Sequence, residues 1–165
     1  LPNHFNKRGA LIDAKETDDV NPERASAGTH FCFVQGKIFD DEGLDRTEVR
    51  INEIRRNWLY HKIRKQVIEA EPALAEESAK EELHNKVSVM LEDTLATLEP
   101  LKIPAEHREV YKTIGGTPHL DNSVTIFGEV VDGLDIVEKM SLVETNKYDR
   151  PLKDVMIKST KVFQK

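Results

Sequence analysis

Two short apolar runs near the start of the chain are bounded by turn-forming residues. The first covers Gly9 to Ala14 and the second covers His30 to Gly36. Runs of this length between turn formers are typical of buried β-strands. Residues 17–28, which separate them, are rich in Asp, Asn, Pro, Ser and Gly, and this composition predicts a loop.

The apolar spacing then changes to the helical period. Apolar residues recur three or four positions apart over residues 44–70, and Pro72 is expected to end that helix. The same spacing over residues 83–98 predicts a second helix. A third, shorter helix is predicted from Pro104 to the glycines at 115 and 116.

The C-terminal part of the chain returns to strand patterns. Residues 124–131 read as a strand, and residues 134–142 as a short amphipathic helix. Val155, Ile157 and Val162 alternate with polar residues, which predicts a last strand at about residues 154–163 with one solvated face.

The two long predicted helices carry opposite charge. Residues 46–65 contain seven Arg or Lys and two Glu, whereas residues 69–99 contain nine acidic residues and two Lys. An antiparallel hairpin would bring these faces together. An exposed ion pair contributes only about 0.3 to 0.5 kcal/mol, so the apolar stripes would supply the stability and the charges the register.

Composition narrows the class of protein. The 165 residues carry a formal charge of -6, which suits one acidic domain and disfavours nucleic acid as a partner. No apolar run reaches the roughly 18 to 20 residues that span a bilayer. Cys32 is the only cysteine, so it cannot form an intrachain disulfide, and we expect it to be a buried apolar residue. The chain begins at Leu1 and its first methionine is Met90, which indicates a processed chain or a fragment.

Three segments together resemble the cyclophilin family of peptidyl-prolyl isomerases. They are Gly9-Ala10-Leu11 leading to Ala14, the block Ala25-Ser26-Ala27-Gly28-Thr29-His30-Phe31, and the stretch His119 to Val137. The last is the most specific, because it combines Leu-Asp, a turn, Phe-Gly, Val-Val and an acidic-Gly pair before an amphipathic helix. Asp149-Arg150-Pro151 also fits.

The resemblance implies a fold that is mainly β with some α structure. The family fold is a closed eight-stranded antiparallel β-barrel capped by two helices, and its first strands precede the point where this chain begins. The expected barrel portion is therefore incomplete at the N-terminus and consists of residues 1–40 and 110–165. Residues 41–109 are similar to the α-helical hairpin inserted in some bacterial members, notably those of Bacteroidetes.

The resemblance also implies a substrate-binding site. Carried over by position, its residues are Ala14, Lys15, His30, Cys32, His119, Leu120 and Val124. His30 replaces the usual glutamine, Cys32 the pocket phenylalanine, and Val124 the usual His or Tyr. The family's catalytic arginine has no counterpart here and is expected upstream. Because Cys32 and Val124 are smaller and stack less well on a prolyl ring, we expect the isolated chain to be impaired as a catalyst.

The implied activity is isomerisation of X-Pro bonds in proline-containing peptides or unfolded proteins, with no cofactor and no metal. The family's relatives place the protein in the bacterial periplasm or cell envelope, with the cytoplasm as the alternative. Contact with a membrane would occur only through an anchor on the missing N-terminal segment, and no nucleic-acid partner is expected.

Other interpretations remain open from the sequence. The substitutions at Cys32 and Val124 suit a non-catalytic, chaperone-like binding module. The basic segment Arg46 to Lys65, with Trp58 and Tyr60, suits a nucleic-acid surface, although a solvated or paired helix face is the simpler explanation. His30 also suits a purely structural histidine. The six histidines show no metal-ligand spacing, and no His and acid partners can be assigned that would activate Cys32 as a nucleophile.

Overall fold

Two long helices form the largest apolar core of the computed structural model, which describes residues 4–161. α1 is Asp41–Ala70 and α2 is Lys80–Ala96. The side chain of Asp40 caps α1 by accepting from the Gly43 amide at 2.7 Å, and α1 ends before Pro72 as its sequence predicts. The buried residues between the helices are Leu59, Ile63, Val67, Leu74, Leu83, Val87 and Leu91, and we call this cluster the helical core.

One ion pair of the expected polarity joins α1 and α2, in which Arg56 contacts Glu92 at 2.5 Å. A second pair, Lys86 of α2 with Glu71 just beyond the end of α1, lies within the acidic segment 69–99. These side chains are substantially exposed, so each pair contributes little and the helical core carries the stability.

α3, Ala105–Thr113, packs on the N-terminal half of α1. Its Tyr111 is fully buried in a second apolar cluster with Leu44, Ile51 and Ile103. The adjoining segment is held by the Asn52 amide, which accepts from the Leu101 N–H at 2.8 Å and donates to the Leu101 carbonyl at 3.0 Å. A side chain that satisfies both backbone groups fixes the path by which the chain returns to α1.

A three-stranded antiparallel sheet lies in the same unit of the chain. β1 is Ala10–Asp13, β2 is Phe31–Phe33 and β3 is Ile126–Glu129, in the order β2-β1-β3. Leu11 pairs with Phe33 and with Gly128, and a bulge follows Leu11 on the β3 side. One face is covered: Ala10, Ile12 and Val34 are buried beneath Leu120, Val124 and Ile126.

The other face of the sheet is exposed. Phe31, Phe33 and Phe127 retain 48%, 36% and 58% of their accessible surface. Phe31 makes edge-on ring contacts with Phe33 at 5.5 Å and with Phe127 at 6.4 Å between centroids. We call these three residues the bare aromatic face.

Residues from Val130 onward form a separate unit. Gly133, at φ 83°, precedes α4, Leu134–Ser141, in the left-handed conformation that glycine adopts without strain. The chain then turns back so that the Leu152 N–H donates to the Glu144 carbonyl at 2.8 Å. The predicted strand at residues 154–163 is wrong over 154–161, which are exposed and irregular; residues 162 and 163 lie outside the described residues.

The expectation of a mainly β chain is also wrong. α1 alone has 30 residues, while the three strands have four, three and four. Short apolar runs make strands only where a partner strand is available, and the described residues supply pairing for three. These form an open sheet rather than a closed barrel. Within residues 4–161, no helix has both the length and the apolar character needed to cross a bilayer.

Candidate functional site

The segment after β1 is held by backbone hydrogen bonds to the predicted substrate-binding block. The Ala14 N–H donates to the His30 carbonyl at 3.3 Å, and the Ala14 carbonyl accepts from the Ala27 N–H at 2.8 Å. The structure therefore brings Ala14 and His30 together. The His30 ring is exposed, with Nδ1 2.8 Å from the hydroxyl oxygen of Thr29.

Lys15 is engaged within its own loop. Its ammonium group lies 3.1 Å from Asp18, whose two carboxylate oxygens also accept from Arg24 at 3.0 and 2.9 Å. Burial raises the pKa of Asp18, but the hydrogen bonds and charges of Arg24 and Lys15 outweigh it, so that the pKa lies below its usual value. The loop after the candidate peptide-binding strand is thus closed by an ionic cluster.

Trp58 attaches this loop to α1. Its indole N–H donates to the Pro22 carbonyl at 2.7 Å, and the Arg24 guanidinium lies 4.6 Å from its ring centroid. This role of Trp58 and Arg24 was not predicted from the sequence. The signals were an aromatic residue within a basic helix and an arginine in the predicted loop, but nothing local connects positions so far apart.

Cys32 lies in β2 opposite Ile12 and is exposed. The prediction that it is buried is wrong. Directly opposed residues in antiparallel strands share a face, so Cys32 is on the same face as Ile12, but at the edge strand of the three-stranded sheet.

His119, Leu120 and Val124 lie on one turn that is fixed by Asp121. A 3₁₀ turn covers Pro118–Leu120. One oxygen of Asp121 accepts from the backbone and side-chain nitrogens of Asn6 at 2.9 and 2.8 Å, and the other accepts from the Tyr111 hydroxyl at 2.7 Å. These three bonds explain how the turn is held, and none was anticipated from the sequence.

The three residues on this turn have different surroundings. Leu120 and Val124 are half-buried against the covered face of the sheet. Val124 also lines a cavity of about 580 Å³ with Phe5 and His107. His119 lines two other cavities, one of about 260 Å³ beside Trp58 and one of about 810 Å³ on the other side.

His119 is half-buried in a positive environment. Burial lowers its pKa below the ordinary value, and the charges of Arg50 and Lys37 lower it further, against an opposing influence from Asp121. Its imidazole is therefore held toward the neutral form, which can donate one hydrogen bond and accept another. Among residues 4–161, no group of three or more His, Cys, Asp or Glu is placed to hold a metal ion.

The predicted site residues therefore form two groups beside the covered face of the sheet. Ala14 directly follows β1, His30 directly precedes β2 and Cys32 lies in β2, while His119, Leu120 and Val124 belong to the turn that packs on the sheet. Lys15 is turned into its own loop. Leu120 and Val124 place apolar side chains suited to a small ring in this region.

A protein-family model described as cyclophilin type peptidyl-prolyl cis-trans isomerase/CLD matches residues 104–162. This segment is similar to the cyclophilin-type isomerases. It contains β3, α4, the Asp121 turn and three of the predicted site residues, His119, Leu120 and Val124. The family is one of enzymes, the peptidyl-prolyl cis-trans isomerases.

Curated relatives named as peptidyl-prolyl cis-trans isomerases match stretches of similar length. Peptidyl-prolyl cis-trans isomerase-like 1 of Emericella nidulans is 45% identical over 56 residues, which are 34% of this chain and 35% of the relative. Peptidyl-prolyl cis-trans isomerase CYP71 of Arabidopsis thaliana is 47% identical over 49 residues, 30% of this chain and 8% of the relative. A bifunctional phosphatase/peptidyl-prolyl cis-trans isomerase of Streptococcus pyogenes is 39% identical over 62 residues, 36% of this chain and 13% of the relative.

The cyclophilin-type match covers only part of this chain and of its relatives. It spans about a third of the length of the Emericella nidulans relative. Residues 9–14 and 25–31, which also resemble the family, precede the matched range. No solved structure matches the chain.

Proposed function

We propose that this protein is a peptidyl-prolyl cis-trans isomerase that assists protein folding by acting on exposed X-Pro bonds. The observation that carries the proposal is the cyclophilin-type segment at residues 104–162. Its turn at His119 to Val124 packs on the sheet that contains the Ala14 and His30 pairing. Ala14, Lys15, His30, Cys32, His119, Leu120 and Val124 are the residues proposed to bind substrate.

The chemistry requires the amide resonance of the X-Pro bond to be weakened, because rotation faces a barrier of about 18 to 20 kcal/mol. In this site, the backbone groups beside Ala14 and His30 would hold the peptide, and Leu120 and Val124 would contact the proline ring. A cation that donates to the prolyl nitrogen in the transition state would complete the site. The family arginine in that role has no counterpart in this chain, so the proposal assigns full activity to a longer protein.

The test compares isomerisation of a proline-containing peptide by the 165-residue chain and by the protein with any upstream residues that its gene encodes. We expect acceleration by the longer protein and little by the shorter one. Leu120→Ala in the longer protein should reduce kcat/KM, while Ile114→Ala, an exposed position outside the site, should not. A folded longer protein without activity would contradict the proposal.

The second candidate is a chaperone-like binding module without catalysis. The bare aromatic face favours it, because contiguous exposed apolar surface is typical of sites that hold other polypeptides. Suppression of aggregation of an unfolded client that survives Leu120→Ala and His30→Ala, but is lost on changing Phe127, would support this function. Loss of suppression with the first two changes would favour the proline site.

The proposal extends to the architecture around the sheet and to the cellular location of the protein. We propose that the three strands are part of a cyclophilin-like barrel interrupted by the helices of residues 41–109. Closure of a barrel would cover the bare aromatic face. The proposed location is the bacterial cell envelope, with the cytoplasm as the alternative. Fractionation of cells with an antibody against the α1 and α2 region would distinguish the two.

A further inference from the structure

A cleft of about 810 Å³ lies between residues 36–40, the first turns of α1 and residues 116–119. Its inner end is built from backbone. Lys37 and Gly116 exchange N–H···O bonds of 3.1 and 3.0 Å. A Cβ on Gly116 would lie 2.3 Å from the Asn6 carbonyl oxygen, so glycine is required for these segments to approach each other. We call it the basic cleft.

The side chains that line the basic cleft are predominantly cationic. Lys37, Arg46 and Arg50 line it together with His119. Asp40 is the only acidic residue among the described lining residues, and its Oδ1 already accepts from the Gly43 N–H at 2.7 Å. The cleft is thus positive in a chain whose formal net charge is -6.

The cationic side chains of the basic cleft differ in their contacts with other groups of the protein. Arg46 pairs with Glu42 one turn earlier, but both side chains are largely exposed, and such a pair is easily exchanged for another anion. Lys37 lies 5.0 Å from the Phe39 ring centroid. Arg50 is exposed and has no ion pair with any residue in the 4–161 range. The lowered pKa of His119, to which Arg50 and Lys37 contribute, is consistent with the positive potential inside the cleft.

We propose that the basic cleft binds an acidic segment of a polypeptide, with Arg46 and Arg50 receiving carboxylates from alternate residues. The two arginines are four positions apart on α1 and therefore about 6 Å apart along the helix axis. Alternate side chains of an extended peptide are about 6.8 Å apart. A short run of acidic residues at every second position therefore matches the helix spacing, and the planar guanidinium groups suit carboxylates.

A nucleic acid fits this region less well. Several other basic residues of α1 are engaged within the protein: Arg55 donates to the Glu99 carbonyl at 2.8 Å, and Arg56 to the Glu92 carboxylate. Trp58, the aromatic residue that a base could stack on, is occupied by Arg24 and Lys62. Arg64 is exposed outside the cleft, and one further cation on α1 would give a long polyanion few additional contacts.

The experiment measures binding without an isomerase assay, so that it succeeds or fails independently of the proposed activity. A fluorescent peptide with glutamates at alternate positions is titrated at low ionic strength, with the glutamine version of the peptide as its control. We expect Arg50→Gln to weaken binding about two- to fivefold and Arg50→Glu to weaken it more. Arg64→Gln, at an exposed position of the same helix outside the cleft, should have no effect.

Two further measurements decide the identity of the ligand. Bound carboxylates should raise the pKa of His119 in an NMR titration, because they offset Arg50 and Lys37. Circular dichroism must show the variants folded, and Lys37→Gln provides a second test of the same cleft. Equal loss with Arg64→Gln, no change with Arg50→Gln, or tighter binding of inorganic phosphate or a single-stranded oligonucleotide than of the acidic peptide would overturn the proposal.

Discussion

The helical core and the three-stranded sheet bury their apolar residues to very different degrees. Val87, between α1 and α2, has no accessible surface, whereas Phe127 of β3 keeps 58%. Both regions have strong apolar patterns in sequence. The difference is that α1 and α2 bury their apolar stripes against each other, while the sheet is covered on one side only. The region with the larger buried cluster is therefore not the one that carries the candidate site.

Chain connectivity accounts for this difference. α1 and α2 are joined by two short 3₁₀ turns, Pro72–Ala75 and Glu77–Ala79, so their contacts are close in sequence. β1 and β3 are more than a hundred residues apart along the chain and share only three register pairs. Short strands depend on a packed hydrophobic face for their stability, and strands with distant partners form their contacts only after a long loop has closed.

The largest expected effect is in the helical core. Leu83→Ala removes a side chain with 5% exposure and should lower the free energy of unfolding by about 2 to 5 kcal/mol through lost burial and a residual cavity. Val89→Ala, on the exposed side of the same helix at 63% exposure, should change it by less than about 0.5 kcal/mol. Urea unfolding followed by circular dichroism measures both, and equal effects would show that the core is not packed as described.

Tyr111→Phe should have the next largest effect. It removes the hydroxyl that donates to Asp121 at 2.7 Å and leaves that carboxylate oxygen without its donor, which costs about 1 to 3 kcal/mol. Tyr148→Phe, at 76% exposure, is the matched control and should be neutral. A neutral Tyr111→Phe would mean that the turn carrying His119 to Val124 is held by other contacts.

Tyr111 should also make the free energy of unfolding depend on pH. Burial, followed by the charge of Asp121 and the hydrogen bond to it, raises the pKa of Tyr111 above its ordinary value. A group whose pKa is higher in the folded state contributes full stability below its unfolded pKa, about 10, and loses it as the pH rises further. The stability difference between the native protein and Tyr111→Phe should therefore narrow above about pH 10, by at most about 1.4 kcal/mol per unit. A constant difference would contradict the buried location of the hydroxyl.

The elements of the helical region were predictable from sequence, because their determinants are local. The spacing of Leu59, Ile63 and Val67 gives the buried stripe of α1, and Pro72 gives its end. For residues 154–161 the alternation of Val155 and Ile157 was misleading, since a strand also requires a partner that local sequence does not specify.

The residues of the candidate site could be predicted from the sequence, but their exposure and contacts could not. Resemblance to a family selected His119, Leu120 and Val124, and the matched segment contains all three. It could not show that Cys32 is exposed at a sheet edge or that Lys15 is turned to Asp18. Nor could it show that Arg50 and His119 line the same cleft, because that arrangement depends on how a distant helix packs.

A smaller effect is expected where the helix meets the loop after β1. Trp58→Phe removes the 2.7 Å hydrogen bond to the Pro22 carbonyl and should cost about 0.5 to 1.5 kcal/mol. Because the loss is local, amides of residues 21–27 should exchange faster with solvent deuterium while those of α2 change little. Tyr60→Phe, which removes only an exposed 3.2 Å contact with His84, should leave the loop unchanged. Faster exchange throughout the chain would mean that the change also disturbs the packing of Trp58 against the helical core.

The smallest effect on stability is expected at the bare aromatic face. This face differs most from the helical core in how far its apolar side chains are buried. Phe127→Ala should change the free energy of unfolding by less than about 1 kcal/mol, because most of the ring is already in water. Phe39→Ala, at a half-buried ring that contacts Tyr111 edge-on at 6.4 Å, should cost about 2 kcal/mol. Binding of an apolar dye should fall with the first change and not with the second.

The same pair of variants also distinguishes the two proposed roles of the sheet. If Phe127→Ala cost about 3 to 5 kcal/mol, as a buried phenylalanine does, the face would be covered in solution and would belong to a completed fold. A small cost together with weaker capture of an unfolded client would identify it as a binding surface, since only an uncovered face can lose binding without losing stability.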